Sequence, residues 1–169
     1  PPPCQLLGPS GGVLEETGPC FEAFGPMEYW RTVEGAGHDG ALLWTNAFSS
    51  TTPSNWSRWS IHTSVSATYR IEAYLDPDWA VYNATRYTIV AAGEEHEVIV
   101  DQSAADGWHV LAELELAEGG RQSVMVFDNY AGSIPGEQHI AVDAIRLTRL
   151  GCTAELCNGE DDDCDGVVP

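Results

Sequence analysis

The chain reads as an all-β protein, an antiparallel β-sandwich of jelly-roll type with about nine or ten strands. Three observations predict this. Apolar and polar residues alternate with a period of two over Thr68 to Leu75, Arg86 to Ala92 and Trp108 to Leu116. Turn residues are plentiful, with 17 Gly and 10 Pro, and they cut the chain into short apolar pieces. No stretch keeps its apolar residues at helical spacing for any length. With 169 residues, 43% of them apolar, one domain with a substantial core is expected.

The elements follow in order. Pro1 to Gly12 is a loop or linker by composition. Its Gly8-Pro-Ser-Gly-Gly12 matches the G-x-S-x-G of a hydrolase nucleophile elbow, but lacks the entering strand and leaving helix which that elbow requires. From Val13 come VLEET, MEYWRTV and ALLWTNAF, separated by Gly, Pro or Ser clusters. In the next piece Trp59 shares parity with Ile61 and points inward, so Trp56 points outward. Tyr69, Ile71, Ala73 and Leu75 form one inward row; Trp108, Val110, Ala112, Leu114 and Leu116 form another. Arg86 to Ala92, the turn AAGEEH and Glu97 to Asp101 form a hairpin. Trp44, Trp59 and Trp108 are expected in the core.

His139 to Leu150 is the last long apolar run. Read as one strand, it aligns Asp143 with Ala141, Ile145 and Leu147 on a buried face. A buried carboxylate needs a partner. Either a bulge re-aims Asp143, or Asp143 is a structural anchor that pins another segment through backbone N–H groups or a bound calcium. Gly151 to Pro169 is different: six acids, no base, three cysteines and little to bury. The sandwich therefore spans 13–150 and the acidic segment 151–169.

Seven basic residues against 26 acidic ones give a formal charge of −19, which repels nucleic acid and anionic membranes. No apolar run is long enough to insert in a membrane as a helix. The five cysteines lie near the ends: Cys4 and Cys20, then Cys152, Cys157 and Cys164. Cys4–Cys20 and one pair among the last three would staple the termini of an exported protein, leaving one thiol for a partner outside the chain. The proline-bounded ends suggest a mature or trimmed piece of something longer.

Several stretches together resemble the golvesin and xanthan-lyase carbohydrate-binding-like domain. They are Tyr69-Arg-Ile-Glu-Ala-Tyr-Leu75, Ala84-Thr-Arg-Tyr-Thr-Ile89, Val100-Asp-Gln-Ser103, Gly107-Trp108, Phe127-Asp-Asn129 and Val142-Asp-Ala-Ile-Arg-Leu147. The resemblance covers about 13–150. It implies a secreted bacterial β-sandwich module with carbohydrate binding by analogy. The tail, Cys157-Asn-Gly-Glu-Asp-Asp-Asp-Cys-Asp-Gly166, is similar to the metal-binding-type motif repeated in bacterial surface proteins of the MopE type. Together they imply an exported protein of a Gram-negative bacterium, extracellular or on the outer cell surface.

Asp161, Asp163, Asp165 and Gly166 fit D-x-D-x-D-G, the front half of a calcium loop, with Asn158 and Glu160 as further oxygen donors. Four acids in five residues repel one another without a cation, so the segment either takes up Ca2+ as a cofactor or stays disordered; oxygen ligands disfavour a transition metal. For glycan binding, Trp79 and Tyr82 stand in the loop Asp76 to Asn83, and Tyr130 and Trp56 are further candidates. An indole or phenol ring packs well on the C–H face of a sugar. Tyr29-Trp30-Arg31 offers a guanidinium–indole stack or simply orders the first strands. The five histidines are scattered and His96-Glu97 lacks the second histidine of H-E-x-x-H, so no enzyme is expected. Asn55-Trp-Ser57 and Asn83-Ala-Thr85 match the N-glycosylation pattern. The expected function is a non-catalytic module that binds a polysaccharide or cell-wall glycan. The alternative is a structural or adhesive surface subunit that self-assembles with copies of itself or with neighbouring domains.

Overall fold

The computed structural model describes residues 3–133 and 136–168; Pro1, Pro2 and Pro169 of the terminal segments lie outside the described residues. The strands in order are Leu6–Leu7 (β1), Gly11–Leu14 (β2), Phe21–Phe24 (β3), Arg31–Glu34 (β4), Ala41–Asn46 (β5), Phe48–Ser49 (β6), Trp56–Thr63 (β7) and Ala67–Leu75 (β8). They continue with Thr85–Ala91 (β9), Glu94–Val100 (β10), Gly107–Leu116 (β11), Gly119–Phe127 (β12), Asn129–Tyr130 (β13), His139–Val142 (β14) and Ile145–Arg149 (β15). The only helical pieces among the described residues are the 3-10 turns Met27–Tyr29 and His38–Gly40. Strands outnumber the expectation because several are too short to show alternation.

One sheet runs β1-β7-β12-β9-β10, with β3 sharing the second edge of β7; the opposing sheet runs β11-β8-β15-β2. A third, β14-β5-β4, and the pair β13-β6 extend the assembly. Most pairings are antiparallel; β1 with β7 and β6 with β13 are parallel. The segment read as a terminal loop thus contributes Leu6 and Leu7 to one sheet and Gly11 and Gly12, the start of β2, to the other, while the Ser10 carbonyl accepts the Arg149 N–H at 2.9 Å.

The core lies where the alternation puts it. Trp59, Ile61, Val124, Val126, Tyr87 and Ile89 from one sheet meet Tyr69, Ile71, Leu75, Leu116, Ile145 and Leu147 from the other. Each large side chain so buried contributes about 1.5–3 kcal/mol. Strand β7 shows the two-residue period along its whole length, and Trp56 lies on its half-buried outer face.

Two departures have local causes. In β11 the register shifts between Val110 and Ala112, so Leu111 is an extra residue that turns inward at 7% exposure while Val110 stands 47% exposed. The phase on the N-terminal side of this bulge is inverted, and Trp108 faces outward instead of into the core. There it packs edge-on to Tyr74 and beneath Arg146, whose guanidinium sits 4.4 Å from the ring centroid. Arg146 also grips Glu72 with two 3.0 Å hydrogen bonds across the β8–β15 pairing. Trp44, likewise expected inside, is half-buried on the outer face of the third sheet.

The second departure is at Asp143. The run His139 to Leu150 is two strands rather than one: β14 pairs with β5 in the third sheet, and β15 pairs with β8 and β2 in the sandwich. Asp143 and Ala144 form the crossover between them. Buried Gln102 supports this crossover by acting as a surrogate strand. Its amide accepts the Ala141 N–H at 3.0 Å, donates to the Ala141 carbonyl at 2.9 Å and donates to the Tyr87 hydroxyl at 2.7 Å.

Replacing Gln102 by alanine strands these buried groups and is expected to cost about 2–4 kcal/mol by urea denaturation. Val110→Thr, at the outward bulge position, is expected to change stability by no more than about 0.5 kcal/mol.

Candidate functional site

A groove of about 310 Å³ opens between the Met27–Tyr29 turn, the end of β5, β6 and the segment before β7. Tyr29 and Phe48 line it at 47% and 49% exposure, together with Asn46, Thr45 and Ser54. The chain holds both rings outward for structural reasons. Next to Tyr29, Trp30 turns inward and donates its Nε1–H to the Phe24 carbonyl at 3.1 Å, which leaves Tyr29 on the solvent side of the turn. Phe48 sits on β6, whose N–H donates to the Asp128 carbonyl at 2.7 Å. The Asp128 carboxylate accepts the Ser54 and Asn55 N–H groups, each at 2.9 Å, and Asn55 donates to the Phe24 and Pro26 carbonyls. Burial raises the Asp128 pKa, and these backbone donors act against that rise. With Asn55 1% exposed and fully engaged, the first glycosylation match is structural, whereas Asn83 is exposed.

A second groove, of about 390 Å³, is lined by Ser50, Thr51, Arg86, Ile99, Asn129 and Tyr130 among others. Of the sequence-nominated aromatics, Tyr130 lines this groove. The other three lie elsewhere. Tyr82 is 6% exposed within the main core, its ring 5.7 Å from that of Tyr130, so little of it reaches the surface. Trp56 stacks on Phe24 at 5.3 Å. Trp79 is half-buried 6.1 Å from Trp44, because its loop folds over the third sheet; Val81 and Tyr82 both donate N–H to the His139 carbonyl at 3.1 Å. Trp44 is stacked with His139 at 4.0 Å, and the Arg31 guanidinium lies 4.6 Å from its centroid. Arg31 therefore stacks on Trp44, its cross-strand neighbour, and not on adjacent Trp30. Sequence reasoning missed Phe48 and passed over Tyr29. The available signal was an aromatic inside a Ser/Thr-rich turn and one beside a tryptophan.

The model of the Golvesin C-terminal domain family matches residues 27–149. The chain belongs to this family. Among solved structures, Paenibacillus xanthan lyase superposes with a TM-score of 0.68 at 11% identity, over 84% of this chain and 13% of that one. A family 35 carbohydrate binding module from Clostridium thermocellum gives 0.51 at 14% identity, over 80% and 97%. Exo-beta-1,3-galactanase from Phanerochaete chrysosporium gives 0.50 at 14%, over 82% and 29%. At these identities the likeness is one of fold, and the chain spans only a small part of the lyase. None of the curated proteins compared matches the chain.

Beyond the family match, the tail of this Golvesin C-terminal domain is closed by Cys152–Cys164, and Cys4–Cys20 staples the front, leaving Cys157 free and exposed. The acids fold as a set of backbone caps. Asp161 accepts the Asp165 and Gly166 N–H groups at 3.1 Å, and Asp163 also accepts the Asp165 N–H. Glu155, a residue outside the sequence motif, accepts the Asp162 and Asp163 N–H groups. Glu155, Asp161 and Asp163 converge within 4.8 Å. Asp165 instead accepts the Val167 N–H, and Asn158 caps Glu160.

In the Golvesin C-terminal domain body, Asp143 is 3% exposed and its Oδ2 accepts the His38 N–H at 2.8 Å, over 105 residues of sequence. Gly37 makes this approach feasible: a Cβ there would stand 2.3 Å from the same oxygen, and its φ of +75° suits glycine. Glu16 lies beside it. Burial pushes the Asp143 carboxyl up to about 8; the His38 N–H opposes the rise, and the nearby Glu16 and Glu15 carboxylates add to it. Burial pushes Glu16 up to about 7, with Glu15 and Asp39 adding repulsion. Both groups bind protons more tightly folded than unfolded, so their protonation favours the folded state at low pH. In chelator, the urea midpoint is therefore expected to fall as pH rises from about 5 to about 8.5, and to level off above that.

Proposed function

We propose that this domain is a non-catalytic carbohydrate-binding module that holds a polysaccharide or cell-wall glycan against Tyr29 and Phe48, within an exported bacterial protein, extracellular or on the surface of a Gram-negative cell. The observation that carries the reading is the presence of two exposed aromatic residues on one groove that exposed Asn46 also lines. A pyranose presents a C–H face that packs on such rings and hydroxyls that an exposed amide can bind. The second groove, with Tyr130 and Arg86, extends the surface available to a longer chain. The fold shared with a carbohydrate binding module, and with part of a lyase named for a polysaccharide, supports the same reading. Recognition without bond-making is supported by Asp128, the carboxylate on the first groove, both of whose oxygens are committed to backbone N–H groups. The acidic tail is read as a calcium-type loop centred on Asp161, Asp163 and Glu155.

A second reading, self-assembly of surface subunits, is favoured by exposed Cys157. The sheet edges argue against it: β10 presents Glu94, Glu95 and Glu97, and β11 presents Glu113, Glu115 and a bulge, all of which repel edge pairing. Sizing with and without reductant is expected to give a monomer in both; an oligomer in either favours the second reading.

For the glycan reading, a polysaccharide panel that includes xanthan identifies the ligand, and titration measures it. Tyr29→Ala and Phe48→Ala are each expected to weaken binding about tenfold or more, equivalent to about 1.4 kcal/mol, with little change in melting temperature. Unchanged affinity in both variants removes the groove from the function.

A further inference from the structure

A separate site is written into the crossover. β2 pairs antiparallel with β15, Leu14 opposite Ile145, and continuing that register by two residues brings Glu16 opposite Asp143. Glu15, Glu16 and Asp143 each offer an oxygen, and these oxygens lie within 4.8 Å of one another. Asp143 is 3% and Glu16 9% exposed. The protein satisfies only part of this cluster. Glu15 Oε1 pairs with His38 Nδ1, and Asp143 Oδ2 takes the His38 N–H. Glu15 Oε2, Glu16 Oε2 and Asp143 Oδ1 are buried with no hydrogen-bond partner. Glu16 and Asp143 hydrogen-bond to each other while one of them is protonated; once both ionise, that bond is lost, the like charges repel and their desolvation is uncompensated, so a cation is the partner that answers both.

We infer that Glu15, Glu16 and Asp143 form a binding site for a hard divalent cation, with calcium as its occupant. An all-oxygen set of carboxylates favours hard ions over zinc or copper, and calcium tolerates an irregular protein cage that magnesium does not. The ion joins three segments distant in sequence: the exit of β2, the His38 turn through its contacts with Glu15 and Asp143, and the β14–β15 crossover. None of the three carboxylates lines either groove, so the inference stands apart from the glycan reading.

The test uses the full chain stripped with chelator, with calcium chloride as the probe and thermal unfolding as the readout. At calcium near 100 times Kd the melting temperature is expected to rise by about 5–10 °C. The Asp161→Asn/Asp163→Asn variant, which disarms the tail, is expected to keep that rise and to bind one equivalent by calorimetry. Glu16→Gln is expected to abolish the rise. If Glu16→Gln does not fold, Glu15→Gln, at the least buried of the three ligands, is expected to shrink it. A wild-type melting temperature that ignores calcium, or a rise that disappears with the tail variant, overturns the inference.

Discussion

The structure depends on where a carboxylate has been buried. Asp143 sits between β14 and β15, at the point where the chain leaves the third sheet and enters the sandwich, and it holds the His38 amide from the far side of that junction. The contact fixes the position of β4, β5 and β14 over the sandwich, because the His38 turn leads directly into β5. What β5 and β6 carry, including Asn46 and Phe48, is placed by the same constraint. Burying this group is costly unless its charge is answered, and the His38 amide answers only one of its two oxygens.

The same device recurs where sheet hydrogen bonds run out. Gln102 completes β14, and Gln122 accepts the Ala92 and Ala117 N–H groups and returns a bond to the Ala117 carbonyl at the ends of the β9 and β11 strands. Asp128 and Asn55 tie the loop before β7 to the turn that carries Tyr29. These buried polar side chains answer backbone groups of short, irregular segments that pack against the sandwich. They also free the aromatics of those segments to face solvent, and the groove arises there.

The sandwich was legible because its strands are long and have one wet face. Over β7 and β9 the residues that alternate in sequence are the ones that alternate in burial, and β8 follows the same period except at Glu72, which is buried where Arg146 grips it. The reading failed where one residue changes phase: the bulge at Leu111 turns Trp108 and Val110 outward, and an insertion of this kind leaves no mark in composition. It failed again at His139 to Leu150, since two short strands in different sheets, joined by buried residues, look like one apolar run. The need of Asp143 for a partner was legible from its neighbours, but His38 lies too far away in sequence to be identified. Among the loop aromatics, Tyr82 and Trp79 were nominated because loops usually lie on the surface. Here the loop folds back over a third sheet that the alternation does not reveal, which buries Tyr82 and half-buries Trp79. Phe48 and Tyr29 are exposed for reasons set by Asp128 and Trp30, both of which act through tertiary contacts. In the tail, the spacing of Asp161 and Asp163 was readable, whereas the recruitment of Glu155 depends on how Cys152–Cys164 folds the chain.

The central claim is that the Asp143 junction belongs to the stable core and is not a surface tether. Native-state amide hydrogen exchange at His38 measures this directly. The account predicts that the His38 amide exchanges with the same opening free energy as the amides of Ile71 and Ile89, in the slowest cooperative unit of the protein. Exchange at His38 as fast as that of an unprotected loop, with Ile71 and Ile89 still protected, would contradict it.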